Sequence, residues 1–190
     1  TGYSFFNSTI TVEKLVNQAY QLNFEALAIT DEHVLHGVIP FYKLCLKKGI
    51  KPIIGMSINV KEEENIEELI LLAKNNAGYR NLTRLSTYIQ RNEKNSIEKE
   101  LLTNYMDQLV VILPVNTSRV QQLLQNNSYD QVENYLSYWK SLIEEEDFYL
   151  GVSDFSEKVE NQSLHVVRAY HESFQTKIVA INDVRYLQEK

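Results

Sequence analysis

The sequence has little of several features that would narrow its function at once. Of its 190 residues, one is cysteine, three are proline and six are glycine. The lone Cys45 excludes an internal disulfide and fits a reducing compartment, so we expect a cytoplasmic protein. No run of about 18 apolar residues is present, and the sequence therefore predicts no membrane-spanning helix. No low-complexity linker and no signal peptide stand out either.

Positive charge is also scarce. The net charge is −6, whereas a domain that binds duplex DNA by itself normally carries a basic stripe that neutralises phosphates. The densest basic group is Lys43, Lys47, Lys48 and Lys51. It falls at the end of a predicted helix, where cations stabilise the helix dipole. We expect no strong DNA binding by this chain alone.

Motifs of several enzyme classes are missing. The sequence contains no glycine-rich phosphate loop, no CxxC pair and no HExxH zinc motif. Ser4, Ser57 and Asp31 include hydroxyl and carboxylate groups, yet nothing in the pattern sets a base beside a nucleophile. A hydrolase of the activated-serine type is therefore not predicted.

The sequence does contain a regular alternation of short apolar runs with amphipathic segments. The apolar runs predict strands at 26–30, 52–60, 69–73, 109–113, 148–152 and 177–181. The amphipathic segments predict helices at 12–22, 38–48, 76–91, 97–106, 118–125, 129–145 and 159–174. Continuous apolar strands separated by helices favour parallel strands covered by helices, which is an α/β fold.

Several segments in fixed order carry a resemblance to a known family. They are TGYSFFNS at 1–8, ALAITD at 26–31, GIKPIIG at 49–55, LLAKN at 71–75 with GYRNL at 78–82, and VAINDV at 179–184. Together they resemble the PHP domain at the front of bacterial DNA polymerase III alpha subunits. The third and fourth segments are the most specific, and the set spans nearly the whole chain.

The resemblance implies that the α/β fold is a PHP-type distorted (β/α)7 barrel. In this fold a metal site lies at the carboxyl ends of the strands. Active members hold metal ions with clustered His, Asp and Glu. Such ions lower the pKa of bound water and hold phosphoryl oxygens, which favours phosphoester hydrolysis. The resemblance also implies that residues 1–190 form a single, nearly complete PHP domain whose opening His-x-His strand falls before Thr1.

The positions that correspond to the family's metal ligands are degenerate. The residues at and beside them are Asn7, Asp31, Glu32, Ser57, Glu68, Asp183 and Arg185. In the family pattern, Asn7 stands in place of an acid and Ser57 in place of a glutamate. Glu32, Glu68 and Arg185 stand in place of histidines, and Asp183 alone is kept.

Arg185 is the substitution that opposes metal binding most strongly. A guanidinium stays protonated in proteins and has no lone pair to donate, so it repels divalent cations. We expect Arg185 to pair with Glu32, Asp31 or Asp183, giving a charge network in place of the metals. The alternative is an oxygen-rich Mg²⁺ or Mn²⁺ site that uses Glu32, Asp183 and Asp31.

The four histidines are a separate question. His33 and His36 are three residues apart in the loop after the first strand, a spacing that also suits a ligand pair. We expect them to be solvated or locally hydrogen-bonded, with metal ligation as the alternative. His165 and His171 are six residues apart in a predicted helix and do not share one helical face.

These observations favour a catalytically inactive structural module inside a replicative DNA polymerase. We expect no cofactor in this domain and Mg²⁺ in the polymerase site of the parent protein. The expected partners are the remainder of the polymerase chain and other replisome subunits, with DNA bound through the parent protein and no membrane. Two alternatives stay open: an active metal-dependent PHP phosphoesterase (proofreading, pyrophosphatase or phosphatase), and a stand-alone binding module.

Overall fold

The computed structural model describes residues 1–3, 9–62, 65–92, 94–126, 128–153, 176–182 and 184. The strands in this part of the chain are β1 Ala26–Ile29, β2 Lys51–Glu62, β3 Asn65–Ala73, β4 Ile97–Glu98, β5 Leu109–Pro114, β6 Phe148–Val152 and β7 Lys177–Ala180. The helices are α1 Val12–Gln21, α2 Val38–Lys48, α3 Asn76–Arg91, α4 Lys99–Leu102, α5 Arg119–Gln125 and α6 Tyr129–Leu142. Short 3-10 turns lie at Thr103–Tyr105, Val115–Thr117 and Glu145–Asp147.

The strands described form one mixed sheet in the order β1-β2-β3-β5-β6-β7, and β4 pairs with β2 beside this path. The pairs β1–β2, β5–β6 and β6–β7 are parallel, as the apolar pattern predicts. The expectation of parallel strands is wrong for β3, which runs antiparallel to both β2 and β5. β2 and β3 are separated by residues 63–64 alone, and a parallel connection needs about a dozen residues or more.

Local sequence signals explain where several helices begin and end. Thr11 precedes α1, and its side chain accepts a hydrogen bond from the backbone N–H of Lys14. Asn75 precedes α3 in the same way and accepts from the N–H groups of Ala77 and Gly78. Gly49 ends α2 in the left-handed conformation, at a φ of 74°, which glycine adopts without a steric penalty.

The expected helix at 97–106 is wrong at its start. Ile97 and Glu98 instead form β4, which pairs with Val60 and Lys61 of β2. This pairing buries the Ile97 side chain completely, so the gain from tertiary packing outweighs local helix propensity. The expected helix at 159–174 lies outside the described residues.

Apolar side chains form two neighbouring core clusters. The larger one packs β2, β3, β5 and β6 against α3, α5 and α6, with Trp139 and Phe148 among its fully buried members. The smaller one packs β1 against α1 and α2 around Phe41 and Cys45. Leu35 and Ile54 contact both clusters, so they join the two parts of the described structure.

None of the helices that the structure describes combines the length and the apolar character needed to cross a bilayer.

Candidate functional site

Polar side chains collect at one edge of the sheet, which we call the carboxyl edge. It consists of residues 30–33 after β1, the turn Val115–Thr117 after β5, and the first half of β3. β3 reaches this edge with its first residues because it is antiparallel to its neighbours. In α/β folds, ligand sites form at the carboxyl ends of the parallel strands. These residues therefore lie where ligand sites form in folds of this class.

Asp31 lies buried at the start of this edge, with 2% of its surface exposed. One of its carboxylate oxygens, Oδ2, accepts a hydrogen bond from the Thr1 hydroxyl at 2.7 Å. This hydrogen bond links Thr1 to the end of β1.

The backbone of residues 31–33 continues the pairing of β1 with β2. Glu32 and Ser57 form a parallel bridge. The N–H of His33 donates to the carbonyl of Ser57 at 2.9 Å, and the N–H of Ser57 donates to the carbonyl of Asp31 at 3.3 Å. The Ser57 hydroxyl makes a long hydrogen bond, 3.4 Å, to the carbonyl of Thr30. Two positions predicted for the site, Glu32 and Ser57, are thus brought together.

His33 acts as a cross-link between this loop and its neighbours. Its φ of 60° lies in the left-handed region, and its imidazole Nε2 accepts a hydrogen bond from the backbone N–H of Asn59 at 3.2 Å. Its carbonyl accepts from the Ser86 hydroxyl of α3 at 2.9 Å. Burial lowers the pKa of His33, and the nearby Glu32 carboxylate opposes this shift. The imidazole of His33 is thus hydrogen-bonded within the fold, to a residue 26 positions away in the sequence.

Glu68 shares one face of the sheet with Ser57. Glu68 is paired with Asn59 and Ser57 with Ile70 in the β2–β3 ladder, and directly opposed residues point to the same face. The Glu68 Oε2 atom accepts a long hydrogen bond, 3.4 Å, from the Thr117 hydroxyl. Glu68 therefore connects β3 to the turn that follows β5.

Glu67 is a residue of the edge that sequence reasoning missed. It is 3% exposed, and both of its carboxylate oxygens accept a hydrogen bond from the backbone N–H of Arg119, at 3.0 and 3.1 Å. Arg119 is the first residue of α5. The sequence does indicate that Glu67 is buried, since strand alternation places it on the same face of β3 as Leu69 and Leu71. A carboxylate on the buried face of a strand requires a hydrogen-bonding partner.

The donors that the structure describes are not grouped as a metal cluster. Within the described ranges, no three or more His, Cys, Asp or Glu side chains are grouped so that they could hold a metal ion. The His33 Nε2 lone pair is used by Asn59, and Ser57 offers a neutral hydroxyl that is hydrogen-bonded to a carbonyl. Hard cations require several converging oxygens, mostly from carboxylates. Asn7, Asp183 and Arg185, including the expected charge network of Arg185, lie outside the described residues.

The sequence is similar to members of one protein family. A model of the PHP domain family matches residues 1–154. The chain is 32% identical to the DNA polymerase III subunit alpha of Bacillus subtilis (strain 168) over 194 aligned positions, which cover 100% of this chain and 17% of that protein. It is 37% identical to the protein of the same name from Halalkalibacterium halodurans over 153 positions, 79% of this chain and 14% of that protein. The chain thus spans less than a fifth of the length of these relatives.

Solved structures with a similar fold come from distant sequences. An amidohydrolase from Chromobacterium violaceum, with bound sulfate and no metal, aligns with a TM-score of 0.62 and 8% identity, over 96% of this chain and 84% of that one. A proposed metal-dependent phosphoesterase from Bifidobacterium adolescentis aligns with a TM-score of 0.57 and 12% identity, over 95% of this chain and 84% of that one. The likeness concerns the fold alone, and it confirms the expected α/β architecture of the distorted-barrel type.

Proposed function

The chain belongs to the PHP domain family, and we propose that it forms the PHP domain of a bacterial DNA polymerase III alpha subunit. The proposal is supported by the similarity of the whole chain to a polymerase alpha subunit. In this role the parent protein carries out DNA-directed DNA synthesis in the cytoplasm, with Mg²⁺ at a polymerase site beyond these residues. The remainder of that polypeptide is the first partner of the domain, and other replisome subunits and DNA are reached through it.

Within the polymerase the domain is a structural module without phosphoesterase chemistry. One observation carries this part of the proposal: side chains at and beside the former ligand positions link elements of the fold. Asp31 holds Thr1, and Glu68 holds Thr117 beyond β5. These contacts stabilise the carboxyl edge, and they use oxygens that a metal cluster would need.

The residue types at the degenerate positions support the same conclusion. Ser57 replaces a charged donor by a weak neutral one, and Arg185 introduces a permanent cation where the family has a neutral imidazole. A metal ion gains nothing from either group. The domain therefore contributes folding and positioning, and the reaction belongs to other parts of the parent protein.

The catalytic part of the proposal is tested by incubating the purified chain with bis-p-nitrophenyl phosphate and p-nitrophenyl phosphate in the presence of Mn²⁺ or Zn²⁺. We expect no hydrolysis above the metal-only rate. Hydrolysis that Asp183→Ala abolishes and Asp107→Ala leaves unchanged would establish the alternative, an active PHP phosphoesterase. Asp107 is the matched control because it is an exposed aspartate in the turn that precedes β5.

The assignment to a polymerase is tested separately with the full-length polypeptide that contains this chain. It should extend a primer on a DNA template in the presence of Mg²⁺ and deoxynucleotides. A full-length polypeptide without template-dependent primer extension would contradict the assignment.

A further inference from the structure

The outer face of α2 carries an apolar stripe. Ile39, Tyr42 and Leu46 are 55%, 46% and 56% exposed, and their spacing of three and four residues places them on one side of the helix. We call these three residues the α2 stripe. The inner face of the same helix is formed by the buried residues Val38, Phe41 and Cys45. A helix at a free surface is normally polar on its outer face, so α2 is built to be covered on both sides.

Exposed apolar side chains are concentrated in this part of the fold. Eleven large hydrophobic residues are exposed among the residues that the structure describes, and six of them belong to α1, α2 and the turn between α1 and β1. α3 and α5 contribute none of the eleven. This uneven distribution distinguishes the α1–α2 side from scattered surface hydrophobics, which are normal in any protein.

Positive charge borders the stripe. Lys43 and Lys47 are exposed and follow Tyr42 and Leu46 by one residue each. They therefore lie along one side of the α2 stripe. A partner that fits this surface has an apolar centre with carboxylates along one side of it.

We infer that the α2 stripe is the surface by which this domain packs against the remainder of its own polypeptide. The inference rests on the proposed function. This chain spans 17% of the length of its Bacillus subtilis relative, so most of such a polypeptide is available to cover the stripe. A domain held by the apolar stripe and the two lysines is fixed in orientation, as a structural module requires.

Lysine footprinting of the full-length polypeptide tests the inference. Wild type is treated with an acylating reagent, and the rate of modification is measured by mass spectrometry at Lys43, Lys47 and the exposed control residues Lys61 and Lys94. We expect Lys43 and Lys47 to react about tenfold more slowly than the controls, because docking covers them. The double variant Ile39→Ser/Leu46→Ser should remove this protection, and Ile66→Ser, an exposed apolar residue of β3, should not.

Three outcomes would overturn the inference. They are equal reactivity of all four lysines in wild type, protection that persists in the double variant, and protection that falls on dilution. The last would show that a second copy covers the stripe. The primer-extension assay is run on the same samples: its failure in wild type counts against the proposed function, whereas normal extension with unprotected lysines counts against the α2 stripe alone.

Discussion

The carboxylate of Glu67 accepts the backbone N–H of Arg119 with both of its oxygens, at 3.0 and 3.1 Å. Ser118, the residue that precedes α5, makes no side-chain hydrogen bond to the start of the helix. A residue 52 positions away therefore supplies the cap that the local sequence does not provide. Since the amino end of a helix carries partial positive charge, a buried carboxylate is stabilised there.

Removal of this cap should destabilise the fold. Glu67→Ala leaves the Arg119 N–H without this acceptor, and we expect the free energy of unfolding to fall by about 1–2 kcal/mol. Urea denaturation followed by far-UV circular dichroism measures the change. Glu133→Ala is the matched control, because Glu133 is an exposed glutamate on α6, and it should cost less than about 0.5 kcal/mol. Equal losses in the two variants would contradict the capping role.

His33 should make stability depend on pH. Its pKa in the folded state is lowered by burial, so the unfolded chain takes up the proton first as the pH falls. The contribution of His33 to the free energy of unfolding is therefore complete above about pH 6.5 and declines as the pH falls toward the folded-state pKa. Denaturation midpoints between about pH 7.5 and pH 5 measure this slope.

The control for His33 is a substitution that keeps the backbone geometry. Asparagine tolerates the left-handed φ of this position, so His33→Asn should flatten the slope and lower stability at neutral pH by about 1 kcal/mol. His36→Asn, at an exposed position, should leave the slope unchanged. A slope that survives in His33→Asn would show that another group is responsible.

Gly78 should tolerate no side chain. A Cβ atom at this position would lie 2.1 Å from the backbone carbonyl oxygen of Gln108, so α3 would have to move away from the turn before β5. We expect Gly78→Ala to cost about 2–3 kcal/mol in thermal or urea denaturation. Gly49→Asn is the comparison, since nothing lies within 4 Å of a Cβ there and asparagine tolerates its positive φ. A Gly78→Ala variant as stable as Gly49→Asn would disprove the steric argument.

The sequence predicted best those elements whose burial is continuous and whose ends have local signals. Leu109–Pro114 was predicted within one residue because both faces of β5 are buried, which leaves an unbroken apolar run. Gly49 marks the end of α2 because glycine adopts the left-handed conformation without a steric penalty, which is a property of that residue alone. Ile97 was assigned to a helix because its pairing with Val60 depends on contacts that local periodicity does not contain.

The site was predictable in position and less so in its contacts. The end of β1 at Asp31 and Glu32 was identified from the polar residues that follow an apolar run, and the structure places Ser57 beside them. The hydrogen bonds that His33 accepts from Asn59 and that Glu67 accepts from Arg119 join residues 26 and 52 positions apart. Such contacts depend on the register of β2 and β3, which was set by a hairpin that the apolar pattern did not show.

Metal content tests the central claim most directly. The purified chain is equilibrated with Mn²⁺ and, separately, with Zn²⁺, dialysed, and analysed by inductively coupled plasma mass spectrometry, with Asp183→Ala as the matched sample. A structural module with a degenerate ligand set should retain well below about 0.1 ion per chain, and Asp183→Ala should give the same value. One or more tightly held ions per chain, lost in Asp183→Ala, would contradict the account.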